Sequence, residues 1–213
     1  MIAVAVLSGR SQGRAQEGAY AGLPIIEARQ PVIDARQPII QLYAALQAVM
    51  RMGRTAPFQQ RFDQLAPTID RVFDLDTILQ TSVGLRWPSL NDAARQTLAT
   101  VFRAFTVASY TANFDSDSGE KLAVLPRTHI AGPDVVVEST LTPANGEAVR
   151  IDYVMRGGTT GARIVDVLLD GSISRVAVQR SDFRALLASG NSDALIDSLR
   201  RKIVELSGGA MRL

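Results

Sequence analysis

The chain has no cysteine. That excludes disulfides, a cysteine nucleophile and thiolate metal sites, and leaves the compartment open. Histidine occurs once, as His129 in LPRTHIAGP. A Ser-His-Asp triad would have to use it, and no G-x-S-x-G accompanies it, so it reads as a surface or edge histidine. A metal site needs several histidine or cysteine ligands, or a carboxylate cluster. Asp115, Asp117 and Glu120 in FDSDSGE lie close together but lack the length and terminal glutamate of a calcium loop, and read as a solvated turn. Neither charge sign is in large excess: 23 Lys and Arg stand against 21 Asp and Glu, a net charge of +2. Basic residues form no block and do not alternate with aromatics, so nucleic-acid binding is unsupported, while weak attraction to an anionic membrane surface stays compatible. No apolar run approaches the ~18 residues of a membrane span. Both G-x-x-x-x-G-K-[ST] and G-x-G-x-x-G are missing; Gly157 to Gly161 joins two strands instead of opening a helix, so it is a hairpin turn and no phosphate cradle.

What is present is apolar and patterned. Hydrophobic residues make up 46% of the 213, enough for a sizeable core without staples. Four helices are expected before residue 115. The first starts near Pro38, carries Ile39, Ile40, Leu42, Tyr43, Leu46, Val49 and Met50, and stops at Gly53. The second runs from Pro57 to Phe73, with Pro67 expected to kink or split it. A short third spans Leu75 to Ser82. The fourth lies in WPSLNDAARQTLATVFRAFTVASYTANF, with Ser89 expected as its N-cap. Its apolar residues occupy two sides: Leu98, Val101, Phe102, Phe105 and Ala112 on one, Val107, Tyr110 and Phe114 nearly opposite. A helix apolar on both sides is buried on both sides or borders a cavity.

After DSDSGE the period becomes two. EAVRIDYVMR alternates Val149, Ile151, Tyr153 and Met155 with Arg150, Asp152, Val154 and Arg156, and DVVVESTLT and ARIVDVLLD are strand-like. Glycine-containing turns imply an antiparallel meander of about four strands over 120–178. Two helices follow, from Ser181 to Ala188 and from Ser192 to Leu206, with both serines expected as caps and Gly190 and Gly208 as stops. Helices, then a sheet, then helices give an α+β fold. Tyr153 with Asp152 or Asp166 suggests the kit of a proton-transfer isomerase, but neighbouring strand residues point to opposite faces, so Tyr153 and Asp152 cannot share a pocket.

Taken together, Gly84 and Trp87 before a long helix ending in Tyr110, then Ile164-Val165-Asp166, Asp170-Gly171-Ser172, Arg180 and Phe183, and Gly190 before a last amphipathic helix, resemble the MlaC / toluene-tolerance family of periplasmic lipid-binding proteins. The resemblance spans about residues 38–206 and is greatest to the hopanoid-associated HpnM branch. One departure is visible: family members usually carry a Trp just before the Ile-x-Asp strand, where this chain has Gly161-Ala162-Arg163.

The resemblance implies an NTF2-like curved antiparallel sheet packed against N- and C-terminal helices around an apolar cavity. It implies a non-catalytic periplasmic carrier, without cofactor, that shuttles phospholipid or a hopanoid-type lipid. The implied partners are inner-membrane RND-type or ABC-type transporter components and an outer-membrane lipid-handling complex. Residues 23–213 would form the single lipid-binding domain. Residues 1–22, where apolar MIAVAVL precedes Ala19-Tyr20-Ala21, would be an export-signal remnant or a disordered tail. Taking a tail out of water is worth about 0.8 kcal/mol per CH₂, so the cavity must be apolar and uncharged. Its expected lining is Phe102, Phe105, Val107, Tyr110, Phe114, Val149, Ile151, Tyr153 and Met155. Arg150, Arg156, Arg163, Arg180, Arg184, Arg200 and Arg201 are candidates for a mildly basic surface near its mouth. Two other readings stay open: an NTF2-like small-molecule enzyme such as an isomerase, and an accessory scaffold whose core is closed by its own side chains.

Overall fold

The apolar stripe expected near Pro38 forms α1, Gln37–Met52, in a computed structural model that describes residues 34–158, 161–188 and 190–213. The expected export-signal remnant at 1–22 lies outside the described residues. Ile39, Leu42, Tyr43, Leu46, Val49 and Met50 are buried on one face of α1. α2, Phe58–Val72, runs through Pro67 without the expected split. Phe62, Leu65, Ala66, Ile69 and Val72 bury its face on both sides of the proline, and tertiary packing outweighs the lost backbone bond. α3, Leu75–Val83, is capped by Asp74, which accepts from Thr77 N at 3.0 Å and Thr77 Oγ1 at 2.8 Å.

A 3₁₀ turn over Gly84–Ser89 precedes the long helix. That helix, α4, is Asp92–Asn113, and its cap is Asn91, not Ser89. Asn91 has the extended backbone that capping requires and accepts from Ala94 N at 2.8 Å. Ser89 instead donates to Arg86 O at 2.7 Å and closes the 3₁₀ turn.

The sheet is a five-stranded antiparallel meander in sequence order: β1 Lys121–Ala131, β2 Asp134–Thr142, β3 Val149–Gly158, β4 Gly161–Leu169 and the two-residue β5 Ile173–Ser174. Register shifts between Val124 and Thr128, and between Val154 and Met155, bend the sheet. Pro126 falls in the first shift, on an edge strand where no ladder donor is needed. Gly171 (φ 70°) turns β4 into β5; a Cβ there would come within 2.9 Å of Arg150 Nε.

α5 is Arg175–Leu186 and begins well before the expected Ser181. Its cap is Ser174, whose Oγ accepts from Ala177 N at 2.9 Å and donates to Asp166 Oδ2 at 2.5 Å. Asp166 also accepts from Val176 N at 3.1 Å, so strand and helix start are tied together. The β-branched Val176 and Val178 disguise this start as strand. α6, Asp193–Leu206, buries Leu195, Ile196, Leu199 and Ile203. Ser192 stands at its N-cap but makes no capping bond.

Helices from both ends of the chain thus cover one face of the sheet. α4 packs against α2, α3 and α6, while α1, α2, α3 and α5 approach β1, β4 or β5. Helices and sheet are pinned together at one seam. Asp74 N donates to Ile164 O at 2.9 Å. Arg163 donates to Asp70 O at 2.6 Å and Phe73 O at 2.5 Å, capping the end of α2. Among the described residues, no helix is long and apolar enough to cross a membrane.

Candidate functional site

Strand alternation fixes which residues meet the helices. Tyr153 pairs with Val137 on one side and Val167 on the other, and Val137, Tyr153, Met155 and Ile164 join the helical core. Ser139 shares the inward parity of Val137. It lies under α1, where it and the Tyr43 hydroxyl are 2.6 Å apart. Ser139 Oγ in turn makes a very short hydrogen bond to Ile151 O. The Tyr43 and Tyr153 rings meet edge-on, with centroids 6.0 Å apart. On α4, Tyr110 stacks on Phe114 at 6.2 Å and tilts against Phe73 at 5.5 Å. Phe73 is bridged to Ile164, so this aromatic group reaches the sheet.

Not every residue of this layer is sealed. Tyr110 and Phe114 from α4, Leu122 and Val124 from β1, Ile151 from β3 and Val167 from β4 all pack against the core yet keep partial exposure. Around them the core is closed: Val107 is 0% exposed, Met155 1% and Tyr153 3%. The nine expected lining residues therefore divide. Tyr110, Phe114 and Ile151 are accessible apolar surface; Phe102, Val107, Tyr153 and Met155 are sealed. Phe102 packs edge-on against Phe183 of α5 at 6.4 Å. Phe105, also partly buried, lies on the opposite side of α4 from Phe114 by helical geometry. Val149 is 41% exposed at the start of β3. Two surface recesses of about 470 Å³ each lie elsewhere, one between α2, α4 and the chain end, the other between the starts of α4 and α6.

Burial raises the phenols of Tyr43, Tyr110 and Tyr153 above the ordinary range. For Tyr43, hydrogen bonds with Ser139 and Tyr153 pull the other way. The neighbouring Tyr43 phenol pushes both Tyr110 and Tyr153 further up. All three hydroxyls are neutral at physiological pH.

Charge is held on the other face. Asp152 is 0% exposed, and Arg150 grips it at 2.7 Å while reaching Glu138 at 3.3 Å. Glu138 also lies 3.7 Å from His129 Nδ1, and Arg156 pairs with Asp134 at 2.8 Å. Asp152 is thus committed to Arg150, across the sheet from Tyr153. Asp115 pairs with Arg54 at 2.7 Å, while Asp117 and Glu120 accept from backbone amides of their own turn. Of the arginines expected near a mouth, Arg150, Arg156, Arg163, Arg180 and Arg200 each have a carboxylate or carbonyl partner.

Sequence reasoning did not single out Tyr43, Phe73 or Ser139 for this site. For Tyr43 and Ser139 a signal existed in the inward stripes of α1 and β2, but their meeting spans 96 residues of chain.

Residues 41–201 match the family described as MlaC protein. The chain belongs to the MlaC family. Among solved structures, it is similar to a phospholipid-binding protein from Ralstonia solanacearum, determined in complex with a phospholipid. The two share 21% identity and a TM-score of 0.70, over 82% of this chain and 99% of that one. At that identity the likeness establishes a common fold. A comparison with curated proteins gives no match. The MlaC match runs from α1 into α6 and so includes Tyr43, Tyr110, Ser139 and Tyr153.

Proposed function

We propose that this MlaC-family protein is a non-catalytic lipid carrier. Its apolar guest would lie between the Tyr110–Phe114 side of α4, α1 and the inner face of the sheet. One observation carries the reading: between α4 and the sheet, apolar residues that pack against the core keep partial exposure while their neighbours are sealed. An acyl chain there gains about 0.8 kcal/mol per CH₂ removed from water. The layer is uncharged, as such a guest requires, because the nearby carboxylates are held by arginines on the far face. The fold shared with a phospholipid-bound protein supports the same reading. Val107, Tyr153 and Met155 would form the packed wall behind the accessible residues, with Phe102 deeper in the core and Val149 at its edge, while Phe105, on the far side of α4, is not part of it.

The finer reading follows the family. The carrier works in the periplasm, between inner-membrane RND-type or ABC-type transporter components and an outer-membrane lipid-handling complex. Its cargo is phospholipid or the hopanoid-type lipid of the HpnM branch. The sealed Val107 favours a second reading, a scaffold with a closed core. A transfer assay separates the two. With fluorescent phospholipid in donor vesicles, catalytic amounts of protein should speed its appearance in acceptor vesicles. A rate equal to that without protein would refute the carrier.

A further inference from the structure

One surface turn holds an apolar side chain out in water. α3 ends at Gly84, whose φ of 65° swings the chain off the helix and into the 3₁₀ turn Gly84–Ser89. Leu85 follows and is 100% exposed. A lone exposed leucine is ordinary; this one stands on a braced turn. Ser89 Oγ donates to Arg86 O at 2.7 Å. From α4, Arg95 donates to Trp87 O at 3.3 Å and to Pro88 O at 3.0 Å. The Arg95 guanidinium also lies over the Trp87 ring, 5.7 Å from its centre.

The unbalanced charge beside Leu85 is of one sign. Arg86 is exposed and makes no ion pair among the described residues. Arg180 of α5 lies against Gly84, with its Nε 3.6 Å from where a Cβ would stand, and donates to Thr81 O at 2.9 Å. That partner is a carbonyl, so the positive charge is not neutralised. Arg184, also exposed, follows one turn along the same side of α5. Neighbouring carboxylates do not offset these three. Asp92 is paired with Arg95 at 3.3 Å, and Asp182 projects from the other side of α5. Asp193 and Asp197 belong to the recess at the start of α4, which includes no residue of this turn.

We propose that Gly84–Ser89 is a membrane-docking tip: Leu85 enters the interface of an anionic bilayer, and Arg86, Arg180 and Arg184 meet its phosphates. The inference does not depend on what the interior holds. A protein interface has a broad apolar centre and a complementary shape, and neither surface recess includes this turn. A bilayer asks only for a projecting apolar group, an indole at headgroup level and cations free to meet phosphate. One leucine and three arginines give a weak, reversible and salt-sensitive contact.

Trp87 is the only tryptophan, so its fluorescence reports on this turn. The full chain is mixed with vesicles of phosphatidylcholine, alone or with an equal amount of phosphatidylglycerol. Part of the phosphatidylcholine is brominated near the top of its acyl chains. At low salt wild type should sediment with the anionic vesicles and not with the neutral ones. Its fluorescence should be quenched by the anionic vesicles and recover when they are spun out. Leu85→Ser should keep the wild-type circular dichroism and bind about tenfold more weakly. Arg86→Gln should bind about fivefold more weakly, and Leu85→Phe more tightly than wild type. Sedimentation without recoverable quenching would mean that another face docks, and would overturn the proposal. Equal binding by wild type, Leu85→Ser and Leu85→Phe would do the same. Wild type that ignores anionic vesicles overturns it as well, and leaves an acidic protein surface as the occupant.

Discussion

Tyr43, Tyr110 and Tyr153 give the interior a chemical signature that solution measurements can read. Their folded phenols titrate above the ordinary value of about 10, with burial the first cause. Because the shift is upward, the stability it represents is complete below the unfolded value and is lost as pH rises through the folded ones. In a titration at 295 nm, these three tyrosines should resist ionisation at pH 10 in the native protein and ionise together when denaturant is added. The melting temperature should fall as pH passes 10. Normal native titration of all tyrosines would contradict the buried cluster. Ser139→Ala removes the acceptor of the Tyr43 proton at a fully buried site, and should cost about 1–3 kcal/mol in urea unfolding. A change within ~0.5 kcal/mol would show that water or another group replaces it. Neither residue stood out in sequence. Tyr43 looks like one more stripe residue and Ser139 like an ordinary strand serine, and only their meeting across the fold gives them a role.

At the scale of elements, the apolar stripes of α1, α2 and α4 and the alternation of β3 were legible, because burial imposes those periods directly. Helix starts were less so. Capping depends on the backbone conformation of one residue, and both Ser89 and Asn91 are chemically able to cap α4; the 3₁₀ turn decides for Asn91. Asn91→Ala should therefore destabilise by about 1 kcal/mol, and Ser89→Ala by less. The reverse order in thermal denaturation would restore the helix start expected from sequence. Ser174 escaped notice because its partner Asp166 lies on another strand. Ser174→Ala loses both the cap and that bond, so its effect should exceed that of Asn91→Ala.

At the scale of the whole molecule, the α+β order was legible from the change of period at residue 115 and its return after the sheet. Which residues of one stripe are sealed was not: partly exposed Ile151 and sealed Tyr153 share one apolar alternation, and only the assembled fold separates them. Val107→Glu places an unpaired charge at a 0% exposed position and should unfold the protein. Ile151→Trp instead enlarges a side chain that keeps partial exposure, so under the carrier account it should displace the guest while circular dichroism stays close to wild type. The most direct test of the carrier account is native mass spectrometry of wild type and Ile151→Trp, purified without detergent, with the released material identified. The account predicts a lipid adduct on wild type and its loss from a folded variant. Wild type free of lipid that also takes none up from vesicles, or a folded variant that keeps its full complement, would contradict it.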